Sequence, residues 1–286
     1  LSRDFYASEL EGLSQPYINR INDMWEQGTS HELVTMTSEQ VRQRIQTYIA
    51  KDIDFLKYAI SGHGPNNETF SLFSPRVQEI FIEEARKNGL TVQTHTVTVE
   101  ALHTAATADI DLMQHCAATL GGESIPDSTI QLIIDRKIAC TLNANSNRYL
   151  RNLLDARDEI PATASSYAVI EVIDQNQRNL VKAGANILLS TDGGVFWMES
   201  PLIRDWTYVD DPEEARDQLG HGHYIWLKAV IEKGLSPMKA LQAATRNIAE
   251  AYKLDDLGTL EKGKIADLVI LNTDPLSNVK NYRDIH

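Results

Sequence analysis

Hydrophobic and polar positions follow two periods that alternate along the chain from about residue 37 onward. Short apolar runs, typical of strands buried in a parallel sheet, alternate with segments whose apolar residues return every three or four positions, as on one face of a helix. The runs predict strands at 53–60, 90–95, 110–115, 138–142 and 186–191. The periodic segments predict helices at 38–51, 74–88, 99–106, 126–136, 164–183, 222–233 and 237–252. Strands and helices in this alternation form βα units, and such units build a parallel sheet.

The predicted strands are too few to close a (β/α)8 barrel, which needs eight. We therefore predict an α/β fold of the partial TIM-like barrel type. Near residue 256 the pattern changes, because Gly258–Asp267 is rich in turn residues and leads into the apolar run Leu268–Leu271, which no helix follows. We therefore expect an incomplete barrel at 1–255 and, at 256–286, a segment of a separate small β domain.

Composition and charge narrow the classes of partner. The 286 residues include 40 acidic and 27 basic side chains, which gives a net charge of −13. Nucleic-acid phosphates and anionic membranes are bound by clustered Lys and Arg, so neither is expected as a partner. The sequence has no apolar run of the ~20 residues that span a membrane and no signal-peptide pattern, so a cytoplasmic location is slightly favoured. Cys116 and Cys140 imply no disulfide framework and are expected to be small core residues.

Four of the five predicted strands carry a side chain that could take part in a metal site at or near their carboxyl ends: Lys57, His95, His115 and Asp192. Since the carboxyl ends of barrel strands meet at one mouth, we expect these side chains to converge. Two imidazoles and a carboxylate suit an ion such as Zn²⁺, and Asp192 could take a proton from an attacking water. Each residue alone is ordinary, and Thr191-Asp192-Gly193 is also a common turn sequence.

Several segments resemble the metal-dependent amidohydrolase superfamily, and more narrowly its imidazolonepropionase-like and Xaa-Pro dipeptidase-like branch. Residues 53–62, 89–95, 109–115 and 189–192 are similar to the fourth, fifth, sixth and eighth barrel strands of that family. Residues 240–247, 258–260 and 263–269 resemble the helix and hairpin that return to its β-sandwich. The resemblance covers roughly 38–280 and implies barrel strands 4 to 8 followed by the start of the sandwich.

The resemblance also implies a ligand set. It assigns one or two divalent ions, with zinc expected, to a carbamylated Lys57, to His95 and His115, and to Asp192, which would also be the general base. Carbamylation needs a neutral lysine, which burial would favour.

The chain departs from the family pattern because no His-x-His pair precedes Lys57. Its one His-x-His sequence, His221-Gly222-His223, falls at the predicted start of a helix, from which these histidines could overhang the site. His63, in a glycine-rich loop, is a better candidate for a substrate contact.

The expected function is hydrolysis of an amide C–N bond in a dipeptide, an N-acyl amino acid or a cyclic amide by metal-activated water. The alternative is a non-catalytic fragment or subunit that needs a partner segment carrying the His-x-His pair to complete the barrel. The expected partners are accordingly a small-molecule or dipeptide substrate, together with a second copy of the chain or a complementary N-terminal segment. A Rossmann or P-loop enzyme is disfavoured, since no predicted strand is followed by a phosphate-binding glycine motif.

Overall fold

The computed structural model describes residues 36–63, 69–155, 169–192, 214 and 220–286. Within these ranges, five parallel strands form one sheet in the order β1-β4-β5-β6-β7. The strands of this sheet are β1 (Phe55–Ala59), β4 (Thr91–His95), β5 (Leu112–Gln114), β6 (Ala139–Leu142) and β7 (Asn186–Leu189). A separate antiparallel hairpin joins β2 (Ser61–His63) to β3 (Thr69–Ser71). The predicted partial barrel of α/β type is confirmed.

Helices fall before the first strand of the sheet, between successive strands and after the last one. They are α1 (Ser38–Ile49), α2 (Pro75–Lys87), α3 (Val99–Thr107), α4 (Asp127–Asp135), α5 (Asn147–Asp155), α6 (Ile170–Ala183), α7 (His221–Glu232), α8 (Pro237–Ala244) and α9 (Arg246–Ala251), with a 3-10 turn at Val279–Arg283. Helix α2 shows how the sequence determines where a helix begins. Its Ser74 side chain accepts a hydrogen bond from the backbone N–H of Val77, and Pro75 occupies the first turn, where no backbone donor is needed.

The two faces of the sheet differ because side chains alternate along each strand. One face carries Leu56, Tyr58, Val92, Met113 and Cys140, all buried in the main core. Helices cover this face with side chains that include Ile80, Phe81, Ala105, Ile133 and Trp226. Cys116 and Cys140 are both free and buried, as predicted.

The opposite face carries an apolar cluster and a set of hydrogen-bonded polar side chains. In the cluster, Leu112, Ala139 and Leu188 are buried, and α9 and the following Tyr252 pack against them. Among the polar side chains, Gln114 donates to Gln93, and Thr141 donates to Gln114. The candidate site residues lie at or just beyond the carboxyl ends of the strands.

Several local predictions were wrong. The helix predicted at 237–252 is two helices, because Thr245, with φ −136° and ψ −89°, interrupts it between α8 and α9. Helix α5 lies in a region where the sequence pattern predicts neither a helix nor a strand. The β2–β3 hairpin occupies part of the predicted loop after Lys57. The first residues of the helix predicted at 164–183 lie outside the described residues.

The C-terminal segment differs most from its prediction. Leu268–Leu271 is not a strand in the described structure, and Leu271 forms a single antiparallel bridge with Ile285. The side chains of Leu268, Val269 and Ile270 are 56%, 71% and 60% exposed. A strand needs a neighbour to pair its backbone groups, and among the described residues only this bridge supplies one. The domain boundary at 255/256 therefore stays a prediction.

Within the described part of the chain, no helix combines the length and the apolar character that crossing a bilayer would require.

Candidate active site

His95 and His115 meet at the carboxyl ends of two neighbouring strands. His95 is the last residue of β4, and His115 directly follows β5, which pairs with β4 in parallel. Their rings lie edge to face, with centroids 4.7 Å apart. The backbone of His115 is left-handed, with φ 58°, and its N–H donates to Thr141 Oγ1 at 3.1 Å. A left-handed residue with a Cβ is uncommon and is often found at functional sites.

The electrostatics of His95 identify the side chains around it. Burial, followed by the charge of His115, lowers the pKa of His95 from 6.5 to about 4. His63 and Lys57 contribute in the same direction, whereas Asp192 opposes them. At neutral pH His95 is therefore uncharged, which is the form in which an imidazole can bind a metal ion. Lys57, His115 and Asp192 therefore lie near enough to His95 to affect its pKa, and their roles as site residues stay predictions.

Asn143 connects the second histidine to the carboxylate. It directly follows β6, which lies between β5 and β7 in the sheet. Its amide Nδ2 lies 2.8 Å from His115 Nδ1 and 3.4 Å from Asp192 Oδ2. Asp192 also has a left-handed backbone, with φ 55°, just beyond β7.

The sequence pattern does not mark Asn143 as a site residue, because an amide side chain is neither a typical ligand of zinc nor a group that transfers protons. The alternation along β6 could have found it. Ala139, Thr141 and Asn143 fall on the face that also carries His95, so an amide at the third position points toward the site.

Lys57 departs from expectation in one respect. It lies on β1, at one edge of the sheet, and its side chain is exposed in the described structure. The burial that would favour a neutral, carbamylated lysine is therefore not present among the described residues. Carbamylation of Lys57 stays a prediction of the family resemblance.

The three histidines expected to contact substrate occupy different positions. His63 is the exposed last residue of β2 and lies close enough to influence the pKa of His95. His221 and His223 begin α7, as predicted, and the His221 ring lies 5.7 Å from the ring of Tyr224 on the same helix. Their contact with substrate stays a prediction.

The donor set fits part of a metal site. In the residues that the structure describes, no three His, Cys, Asp or Glu side chains lie close enough together to hold a metal ion. His95 and His115 supply two adjacent imidazoles, and Zn²⁺ usually takes three or four protein ligands. The described residues therefore provide a pair of ligands rather than a complete site.

A parallel sheet with these side chains at its carboxyl edge is typical of metal-dependent hydrolases built on a barrel. Residues 12–285 match the Amidohydrolase family, and the chain belongs to that family.

Solved structures of hydrolases agree with this assignment. Phenylurea hydrolase B is 32% identical, with a TM-score of 0.81, and the match covers 100% of this chain and 62% of that one. Molinate hydrolase is 30% identical, with a TM-score of 0.82, and the match covers 96% and 58%. A Xaa-Pro dipeptidase with bound methionine shares the fold at 18% identity and a TM-score of 0.66, over 87% and 56% of the two chains. The predicted relation to amidohydrolases that include Xaa-Pro dipeptidase-like proteins is confirmed.

One curated relative is matched over a shorter stretch. An adenine deaminase of Desulforamulus reducens is 34% identical over 109 residues, which are 37% of this chain and 16% of that protein. This chain therefore spans well under two thirds of the length of such relatives.

Proposed function

We propose that the protein is a metal-dependent hydrolase that cleaves the amide C–N bond of a dipeptide, an N-acyl amino acid or a cyclic amide. The observation that carries the proposal is the adjacency of His95 and His115 at the carboxyl ends of two neighbouring parallel strands. Asp192 is joined to His115 through Asn143. The similarity to phenylurea hydrolase B supports it, because a urea, like an amide, carries nitrogen on its carbonyl carbon.

Each residue has a proposed role. His95 and His115 would hold one divalent ion, for which zinc is the first candidate, and a carbamylated Lys57 and Asp192 would complete the ligands of one or two ions. The bound metal would supply a water that ionises near neutral pH and a Lewis acid for the substrate carbonyl. Asp192, whose Oδ2 accepts a hydrogen bond from Asn143, would take a proton from the attacking water and deliver it to the leaving amine. His63, His221 and His223 would contact the substrate.

A second candidate is favoured by the incomplete ligand set of the described residues. The chain would then be inactive until a segment carrying a His-x-His pair, from the same protein or from a partner, completes the barrel. Three observations support it: the two-histidine donor set, the exposed Lys57 on the sheet edge, and the 58% and 62% of the two hydrolase structures that this chain spans. Assembly with a second copy and a cytoplasmic location are weaker proposals.

The experiment that separates the two candidates measures amide hydrolysis with and without such a segment. The Zn²⁺-supplied chain is tested on dipeptides, N-acyl amino acids, a cyclic amide and a phenylurea. His95→Ala is expected to lower turnover at least ~100-fold, since one donor of the site is lost. His103→Ala is the matched control. His103 lies on α3, and its ring contacts Thr129 rather than the residues of the proposed site. Turnover that appears only with the segment supports the second candidate, and no turnover in either preparation contradicts the hydrolase.

A further inference from the structure

We propose that Asn143 is a positioning residue that determines which nitrogen of His115 carries the proton and that links His115 to Asp192. Its amide group contacts both side chains, through Nδ2 at 2.8 Å from His115 Nδ1 and 3.4 Å from Asp192 Oδ2. The catalytic meaning of this arrangement rests on the proposed function, but the hydrogen bonds themselves do not.

The chemistry of the amide sets the direction of both hydrogen bonds. An amide NH₂ group can only donate, and it has two hydrogens. One hydrogen is therefore given to His115 Nδ1, which must accept it with its lone pair. The other is directed to Asp192 Oδ2, a carboxylate oxygen that can only accept. A neutral His115 in this arrangement carries its own proton on Nε2.

The backbone of Asn143 is held in place beside His115 and Asp192. Its backbone carbonyl accepts a hydrogen bond from Nε2 of the buried Gln177 at 3.2 Å. The carbonyl of the preceding Leu142 accepts one from Nε1 of the buried Trp226 at 2.6 Å. These two bonds come from α6 and α7, so the residue is fixed from the covered side of the sheet. His115 is fixed in turn by the bond from its backbone N–H to Thr141.

The orientation of one amide therefore decides between two roles for His115. With Nδ2 toward the ring, Nε2 carries a proton and can donate to an oxygen of a bound carbonyl group. Binding of a metal through Nε2 needs the opposite tautomer, with the proton on Nδ1 and an acceptor in front of it. Only rotation of the Asn143 amide, which brings Oδ1 to the ring, provides that acceptor from the same side chain. The rotation also removes the donor from Asp192, so the three side chains change together.

The test is the tautomer of His115 in the metal-free chain. The full chain is labelled with ¹⁵N at histidine, and ring ¹⁵N–¹H correlations are recorded near pH ~9, above the ordinary histidine pKa. The signals of His115 are assigned by their loss in His115→Gln. We expect the wild-type ring to be protonated at Nε2. Asn143→Asp has nearly the same shape but can only accept, so the ring is expected to become protonated at Nδ1.

Two further variants complete the test. Asn143→Ala is expected to populate both tautomers, whereas Asn145→Ala on the same loop keeps the wild-type tautomer, because the recorded contact of Asn145 with Lys233 uses its backbone carbonyl. A wild-type ring protonated at Nδ1, or an Asn143→Asp ring that keeps the wild-type tautomer, would overturn the proposal.

A kinetic readout separates this proposal from the proposed function. In an active preparation, Asn143→Ala is expected to lower kcat ~10-fold to ~100-fold, the usual effect of losing a group that orients a ligand, while KM changes less than ~3-fold. An unchanged kcat would overturn the positioning role in catalysis. A wild type that has the expected tautomer but stays inactive with and without the complementary segment would contradict the hydrolase and leave the assignment of Asn143 in place.

Discussion

Two apolar stretches of this chain, β6 and the segment Leu268–Ile270, meet opposite environments. All four residues of β6 are buried, between β5 and β7 and beneath the helices. The side chains of the second stretch are more than half exposed, although both stretches have strand-forming sequences. Strand propensity is largely a matter of having a partner and a covered face. Apolar sequence therefore predicts a buried strand only where neighbouring strands are present.

The largest change in the free energy of unfolding is expected for a substitution in the core. Leu142 of β6 is fully buried, and Leu142→Ala is expected to lower the free energy of unfolding by about 2–5 kcal/mol, through lost burial and a residual cavity. Urea unfolding followed by circular dichroism measures this. A loss below ~1 kcal/mol would show that the sheet is less tightly packed around β6 than the structure indicates.

An intermediate change in the free energy of unfolding is expected at the contact between helices α1 and α2. The Glu84 carboxylate is buried and accepts hydrogen bonds from Lys87 at 2.6 Å, from Gln46 at 2.8 Å and from Arg42. The bond from Lys87, then those from Gln46 and Arg42, lower the pKa of Glu84 from 4.5 to about 2.

Because that pKa is lower in the folded state, the stabilisation is complete above about pH 4.5 and is lost as the pH falls toward 2. Glu84→Gln is expected to cost roughly 1–2 kcal/mol at pH 7, with allowance for solvent screening of its partners. Between pH 4.5 and 2, the free energy of unfolding of this variant is also expected to fall less steeply than that of the wild type. Glu79→Gln on the same helix is the control, since Glu79 forms an exposed pair with Arg76. Equal acid profiles for the two variants would contradict this interpretation.

The smallest change in the free energy of unfolding is expected for a substitution in the C-terminal segment. Val269 is 71% exposed, so Val269→Thr should change the free energy of unfolding by less than ~0.5 kcal/mol. The same urea titration applies. A loss comparable to that of Leu142→Ala would show that the segment is covered in solution, for example by another strand.

The alternation of apolar runs and helical periods predicted the sheet well, because it reports burial on faces that the described structure covers. Strand ends were less predictable. The strand expected at 110–115 pairs only over Leu112–Gln114, since the left-handed backbones of Asp109 and His115 lie just beyond its ends. Thr245 gives no local signal for the break between α8 and α9.

The candidate site was predictable as far as its residues carry recognisable chemistry. His95, His115 and Asp192 could be found because each follows an apolar run, and parallel strands bring such positions together. Asn143 also follows an apolar run, but an amide does not by itself indicate a metal ligand or a proton-transfer group. Its role depends on β6 lying between β5 and β7, which is a matter of strand order. The exposure of Lys57 likewise depends on the position of β1 at the sheet edge rather than on the residues beside it.

The central claim is that His95 and His115 hold a divalent metal ion, and zinc binding tests it most directly. Equilibrium dialysis against Zn²⁺, followed by metal analysis, is applied to the wild type, to the His95→Ala/His115→Ala double variant and to His103→Ala. We expect about one Zn²⁺ per chain in the wild type and in His103→Ala, and its loss in the double variant. Equal zinc content in all three proteins, or no zinc in the wild type, would contradict the claim.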